Sequence, residues 1–280
     1  YFSSLPFNSN KLLEIPPGTY IVGRQEQRIP YGLDGNTVLC FENINNMQII
    51  GKVVGTQVVK LKFMDCMQYG AFDFPTLPDT RYLTCNNQSN PCSLNSNTLN
   101  KIATPGNMIH FTGCNNIVIK NIELDGNMDN TIIGGGYTET IQIPTRGIFL
   151  NACRNITIDK VNVHDFGYDG ITIYFMDCPS SIEYPPQYPP IMNCNISNSF
   201  FTMNGRNNMT WGGGIGMNVY KTEFNYAGQG RLTSQPASGI DIEYEQSNVP
   251  TAQGQFTKCK FKYNKYYGVN SNSAQNLTTN

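Results

Sequence analysis

Apolar and polar residues alternate in short runs along most of this chain, and apolar residues at helical spacing are nearly absent. In GIDIEYE, residues 239–245, Ile240, Ile242 and Tyr244 alternate with Asp241, Glu243 and Glu245. Successive side chains of a strand leave by opposite faces, so one face carries three carboxylates about 7 Å apart and the other an apolar row. The alternation recurs in RGIFLNACRNITIDKVNVHDFGY (146–168) and NMIHFTGCNNIVIKNIELDGNM (107–128), which superpose without a gap. Cys153 then falls on Cys114, Asn155 on Asn116, Ile148 on Ile109, Ile158 on Ile119 and Val163 on Leu124. DGITIYF, GGIGMNV, SGIDIEY and YGVNSNS restart the pattern at Gly170, Gly214, Gly239 and Gly268.

Units of about 23 residues, each with three short β-rich runs punctuated by Gly and Asn, predict an all-β solenoid: a right-handed parallel β-helix of about six coils. Each strand pairs with its counterpart one coil on, about 4.8 Å along the axis, so like side chains form columns. Residues 1–280 read as a single domain of this kind, with long loop insertions near 64–106, 127–144 and 178–194. The Cys114/Cys153 match reads as an inward or turn column, since two thiols alone make an incomplete zinc site.

These repeats, with EIPPGTYIVG (14–23) ahead of them, resemble the pectin-lyase-like superfamily of right-handed parallel β-helices. The resemblance implies a capping helix before such a segment. None stands before Tyr1, and NLTTN closes the chain partway through a further coil, so a fragment of a longer polypeptide is expected. DGITI, opening at Asp169, resembles part of the Asn-Thr-Asp-Gly-Ile-Asp segment of polygalacturonase-type hydrolases, which implies a catalytic acid at Asp169. Tyr168 stands where that family has threonine, and its Gly-His-Gly and Arg-Ile-Lys motifs are absent. Lyases of the superfamily use an Arg or Lys base beside calcium; Arg146, Arg154 and Arg206 are available here without an equivalent arrangement.

Stacking on the glycines places His110, Phe149, Thr172, Gly216 and Asp241 in one outward column, and Thr112, Asn151, Tyr174, Asn218 and Glu243 in the next. Asp125, His164, Thr202 and Lys262 form a third on another face. Two carboxylates about 7 Å apart suit an inverting glycosidase, one protonating the leaving oxygen and one activating water. Crowded acids also raise each other's pKa, as a general acid near neutrality requires. Asp241 and Glu243 are therefore the leading acid/base candidates, supported by Asp169. Tyr174, Asn218, His110 and Trp211 are candidate substrate contacts, Trp211 standing either at a groove or over a coil edge. His164, stacked on Asp125, is a further acid/base candidate. The other reading of the acids is a solvated strand face, holding at most a loosely bound cation such as calcium.

A charged fraction of 14% and a net charge of -1 leave no basic field for nucleic acid or an anionic membrane. No apolar run approaches the roughly 18 residues of a membrane span. Cys85 and Cys92 bracket NNQSNP, and Cys178 and Cys194 bracket a proline-rich excursion, so both pairs are expected as loop-base disulfides of a secreted or cell-surface protein. Sequons at Asn87, Asn155, Asn195, Asn208 and Asn276 fit that setting. Aromatic rings and amides on the insertions suit sugars, which present apolar ring faces and hydroxyls. No phosphate loop or Cys/His zinc pattern occurs, so no cofactor is expected. The chain is expected to be a secreted carbohydrate-active β-helix hydrolysing a glycosidic bond of an extracellular polysaccharide. The alternative is a non-enzymatic structural or adhesive glycoprotein module, assembled with other chains or further coils.

Overall fold

The computed structural model describes residues 9–27, 33–71, 102–134, 137, 139, 141–175, 191–243, 251–272 and 275–279. Alternating strands stack in parallel on their counterparts. The longest path runs through Lys11–Ile15, Asn45–Gly51, Asn115–Asp125, Arg154–His164, Ile191–Ser197, Gly214–Tyr220, Thr251–Thr257 and Gln275–Thr279. A second sheet stacks Leu39–Glu42, Ile109–Thr112, Ile148–Asn151, Ile171–Tyr174, Met209–Trp211, Ile240–Ile242 and Val269–Ser271. A smaller mixed sheet is built from segments outside this repeat, including Gln68–Ala71 and Ile132–Gly134. The described residues are thus all-β with long parallel sheets, as in a β-helix or solenoid, and contain no helix long and apolar enough to cross a membrane.

The register follows the alternation. Ile109 pairs with Ile148, Ile119 with Ile158 and Leu124 with Val163, and these side chains join one apolar core that extends from Phe41 to Phe256. Identical residue types in successive strands stack within it, as in the ring pairs Phe41–Phe111 at 4.8 Å and Phe201–Phe224 at 5.3 Å. Cys114 and Cys153 lie in this core, each thiol turned to a main-chain carbonyl, Cys114 Sγ donating to that of Thr112 and Cys153 Sγ to that of Asn151, both at 3.3 Å.

Polar residues set the bends. Asn46, Asn116, Asn155, Asn193, Gly216 and Gln253 occupy equivalent places in successive strands of the long path, and all are left-handed, with φ from 50° to 91°. Among residues with a side chain, Asn tolerates this conformation best, because its short amide bonds locally. The amides also link neighbouring strands, Asn116 Nδ2 donating to Asn46 Oδ1 at 2.9 Å and Asn193 Nδ2 to Asn155 Oδ1 at 3.2 Å. A second left-handed column, Asn121, Lys160, Asn198, Lys221 and Lys258, turns the same path again.

Several sequence expectations change. Thr210, not Gly216, stacks on Thr172, and Asn218 lies on the long path between Asn195 and Gln255, away from Tyr174. Gly214, at φ +103°, opens a strand of the long path and Gly216, at φ +91°, sits at its bend; neither opens a strand of the second sheet. Trp211 is wholly buried, its Nε1–H donating to the Gly213 carbonyl at 3.1 Å, so it lines no groove. Cys194 is a free thiol that points into the core between strands, and burial pushes its pKa up to about 12. It therefore forms no loop staple with Cys178. Cys85, Cys92, Cys178 and Asn87 fall outside the described residues, as does most of the 64–106 and 178–194 insertions.

Candidate functional site

The outward column of the second sheet reads His110, Phe149, Thr172, Thr210, Asp241, Asn270. An outward strand face is ordinarily wet, yet Asp241 is only 1% exposed. The turn leading into Met209–Trp211 explains this, because Arg206 and Asn207 lie across the column. Nη1 of Arg206 donates to Thr210 Oγ1 at 3.2 Å and reaches Asp169 Oδ2 at 3.5 Å; Nη2 reaches Asp241 Oδ2 at 3.4 Å and Glu243 Oε1 at 2.7 Å. One buried guanidinium thus serves three carboxylates.

Each acid has further partners. Asp169 accepts from Thr172 Oγ1 at 2.8 Å and from the Asn207 backbone N–H at 3.1 Å. Asp241 accepts from Asn207 Nδ2 at 3.1 Å and, through its other oxygen, from Asn270 Nδ2 at 2.8 Å. Glu243 keeps a quarter of its side chain, 25%, open to solvent. Burial and then the charge of Glu243 push the Asp241 carboxyl up to about 6, although Arg206 opposes the shift. Burial works against the charge on Arg206, but Asp169, Tyr168 and Glu243 more than offset it and hold the guanidinium ionised.

Aromatic rings extend the site along the stack. The Arg206 guanidinium lies 4.9 Å from the centroid of Tyr168, and Arg146 lies 4.4 Å from the same ring and 5.0 Å from that of Phe149. Arg146 Nε also donates to Thr172 Oγ1 at 3.2 Å. His110 meets Phe149 edge to face at 4.7 Å, and burial lowers its imidazole pKa. Tyr174 is buried against Phe149 at 5.9 Å. The result is a row from His110 through Phe149, Arg146, Tyr168 and Arg206 to Glu243. Within it, Glu243 is an open carboxylate held in a fixed place by a buried cation, while Asp169 and Asp241 are sealed beneath.

The third column also forms, as Asp125, His164, Thr202, Asn225, Lys262, with Asn225 the added member. His164 Nδ1 meets Asp165 Oδ2 at 2.7 Å and Nε2 meets Glu123 Oε1 at 3.1 Å. Lys60 Nζ bridges Glu123 Oε1 at 2.8 Å and Asp125 Oδ2 at 2.7 Å. Burial opposes the imidazolium, but Asp165, Glu123 and Asp125 outweigh it and raise the His164 pKa. Asp125, His164 and Asp165 offer ligand atoms within 4.8 Å of one another, but Lys60 already neutralises the carboxylate of Asp125.

Sequence reasoning therefore chose Asp169, Asp241 and Glu243, which converge, but not the Arg206 that joins them. A signal was present: NMTW (208–211) superposes on GITI (170–173), which sets Arg206 directly over Tyr168. His164 belongs to a separate cluster, and Asn218 to the exposed amide columns with Asn155 and Asn195. Asn208 is wholly buried, its amide donating to the Asn225 carbonyl at 2.8 Å, so the folded chain offers no acceptor there. Asn276 lies in the last strand.

No protein-family model matches this chain, and no curated protein matches its sequence. Among solved structures it is similar to ORF18 of Geobacillus virus E2, at 11% identity and a TM-score of 0.46, covering 91% of this chain and 35% of that one. This chain thus spans about a third of the virus protein's length. It is also similar to the A-modules of two mannuronan C-5 epimerases of Azotobacter vinelandii. The AlgE4 module is 10% identical with a TM-score of 0.22, covering 96% of this chain and 88% of the module. The AlgE6 module is 11% identical with a TM-score of 0.21, covering 97% and 91%.

Proposed function

We propose that this chain is a secreted or cell-surface carbohydrate-active protein that hydrolyses a glycosidic bond of an extracellular polysaccharide along the row from His110 to Glu243. The observation that supports it is Glu243, part-exposed yet held at 2.7 Å by an Arg206 that is itself buried and anchored by Asp169 and Asp241. A catalytic carboxylate has to be reachable by substrate and fixed in direction, and such a buried anchor supplies the second condition. The half-buried ring of Phe149 suits the C–H face of a sugar ring, and Arg146 and His110 offer hydrogen bonds to hydroxyls.

In this reading Glu243 exchanges a proton with the glycosidic oxygen or the attacking water. Asp241 and Asp169 are positioning residues. That departs from the inverting pair expected from spacing alone, because Asp241 has no open path to substrate. A second reading, a non-enzymatic structural or adhesive module, is favoured by the same sealing: a network whose acids are nearly all internally satisfied can simply tie successive strands together.

Turnover of a panel of neutral and acidic polysaccharides separates the two. Cleavage by the wild type that is lost in Glu243→Gln, with the unfolding midpoint unchanged, supports hydrolysis at this row. Cleavage that survives in Glu243→Gln overturns the assignment of Glu243. Absence of cleavage by the wild type on every glycan favours the structural reading.

A further inference from the structure

A groove of about 490 Å³ lies on another face, beside the left-handed bends at Asn121 and Lys160. One wall is the turn around the Val54/Gln57 bridge, which carries Val53 and Val58, and the other carries Phe200, 49% exposed. Glu123, Asn162 and Asn198 supply polar groups between the walls. None of these residues takes part in the row from His110 to Glu243.

Glu123 is the informative member. Its Oε1 meets both Lys60 Nζ and His164 Nε2, at 2.8 and 3.1 Å, and those two cations are in turn held by Asp125 and Asp165. Oε2 has no partner among the described residues. The carboxylate is therefore fixed from behind with one oxygen left as an acceptor, and two cationic groups shared among three carboxylates leave the cluster net negative. An anionic ligand is repelled by that residual negative charge, and a wholly apolar ligand would desolvate the oxygen without replacing its hydrogen bond. A ligand with an apolar face for Phe200, Val53 and Val58 and hydroxyl donors for Glu123 and the amides satisfies both demands. A pyranose ring has that shape, and the volume lies within the roughly 300–1,000 Å³ of small-molecule sites.

We propose that this groove is a second carbohydrate-binding site, taking a neutral hexopyranose unit and independent of chemistry at Glu243. The test uses saturation-transfer NMR and calorimetry on the full chain with methyl β-D-glucopyranoside, methyl α-D-mannopyranoside and methyl β-D-galactopyranoside, and with sodium glucuronate as an anionic control. At least one neutral glycoside is expected to bind saturably. Phe200→Ala, at an exposed position, and Asn162→Ala are each expected to weaken it at least tenfold with the unfolding midpoint retained, and Glu243→Gln to leave it unchanged. Three results overturn the proposal: no binding of any neutral glycoside, binding indifferent to both groove variants, or binding abolished by Glu243→Gln. Tighter binding of glucuronate than of every neutral glycoside also overturns it, because it reverses the required chemistry.

Discussion

Arg206 is the residue whose loss the fold is expected to feel most at the proposed active face. Asp169 and Asp241 are buried around it, and removing one partner of a buried ionic network leaves the others uncompensated. Arg206→Met is expected to lower unfolding stability by about 3–5 kcal/mol in urea titrations. Glu243→Gln, at the open end, is expected to cost less than about 1 kcal/mol. Asp241 adds a pH signature. Its folded pKa of about 6 exceeds the ordinary 3.8, so between those values the folded chain holds a proton that the unfolded chain releases. Its contribution to stability is complete below 3.8 and declines as pH rises towards 6. The unfolding free energy of the wild type is therefore expected to fall relative to that of Asp241→Asn from pH 4 to pH 6, and a constant difference would contradict the raised pKa. The chain has 2 histidines, and NMR titration is expected to place His164 above 6.5 and His110 below it. The stabilisation from the His164 clamp is then complete below 6.5 and lost as pH passes its folded pKa.

At the scale of elements, the bends decide where each strand ends. Asn155 is left-handed at φ 51°, a conformation that penalises β-branched side chains by about 1–2 kcal/mol. Asn155→Val is expected to lose about that much stability, and Asn155→Gly to stay near the wild type, as read by thermal unfolding. Gly51 faces Asn121 across the second bend column, and a Cβ there would lie 2.0 Å from the Asn121 carbonyl oxygen. Gly51→Ala therefore requires a main-chain shift and is expected to lower the melting temperature. The columns of isoleucine, valine and leucine were readable from alternation, since a period of two leaves one apolar face per strand. The start of the strand Met209–Trp211 was not, because glycine precedes a strand of the second sheet at Gly239 but opens a strand of the long path at Gly214 and sits at its bend at Gly216, and the letter is the same in each role.

At the scale of the whole molecule, the continuous core predicts which thiols reagents can reach. Cys40 and Cys66 are exposed, whereas Cys114, Cys153 and Cys194 lie inside the stack. Brief treatment of the native protein with N-ethylmaleimide is expected to label the first two and to spare the other three until denaturant is added; peptide mass mapping reads the result. Labelling of Cys194 in the native state would contradict its place in the core. The sequence by itself determined the all-β character, the pairing of 107–128 with 146–168 and the identity of the inward columns, because these follow from local alternation repeated at a near-constant interval. It also singled out Asp169, Asp241 and Glu243 as chemically notable. Only the tertiary structure decided that Arg206 unites those acids, that Asp241 is sealed while Glu243 is open, and that Glu123, His164 and Lys60 meet beside a groove. Contacts between residues dozens of positions apart depend on which turn crosses which strand, and burial depends on what lies above a side chain, which alternation along one strand does not encode.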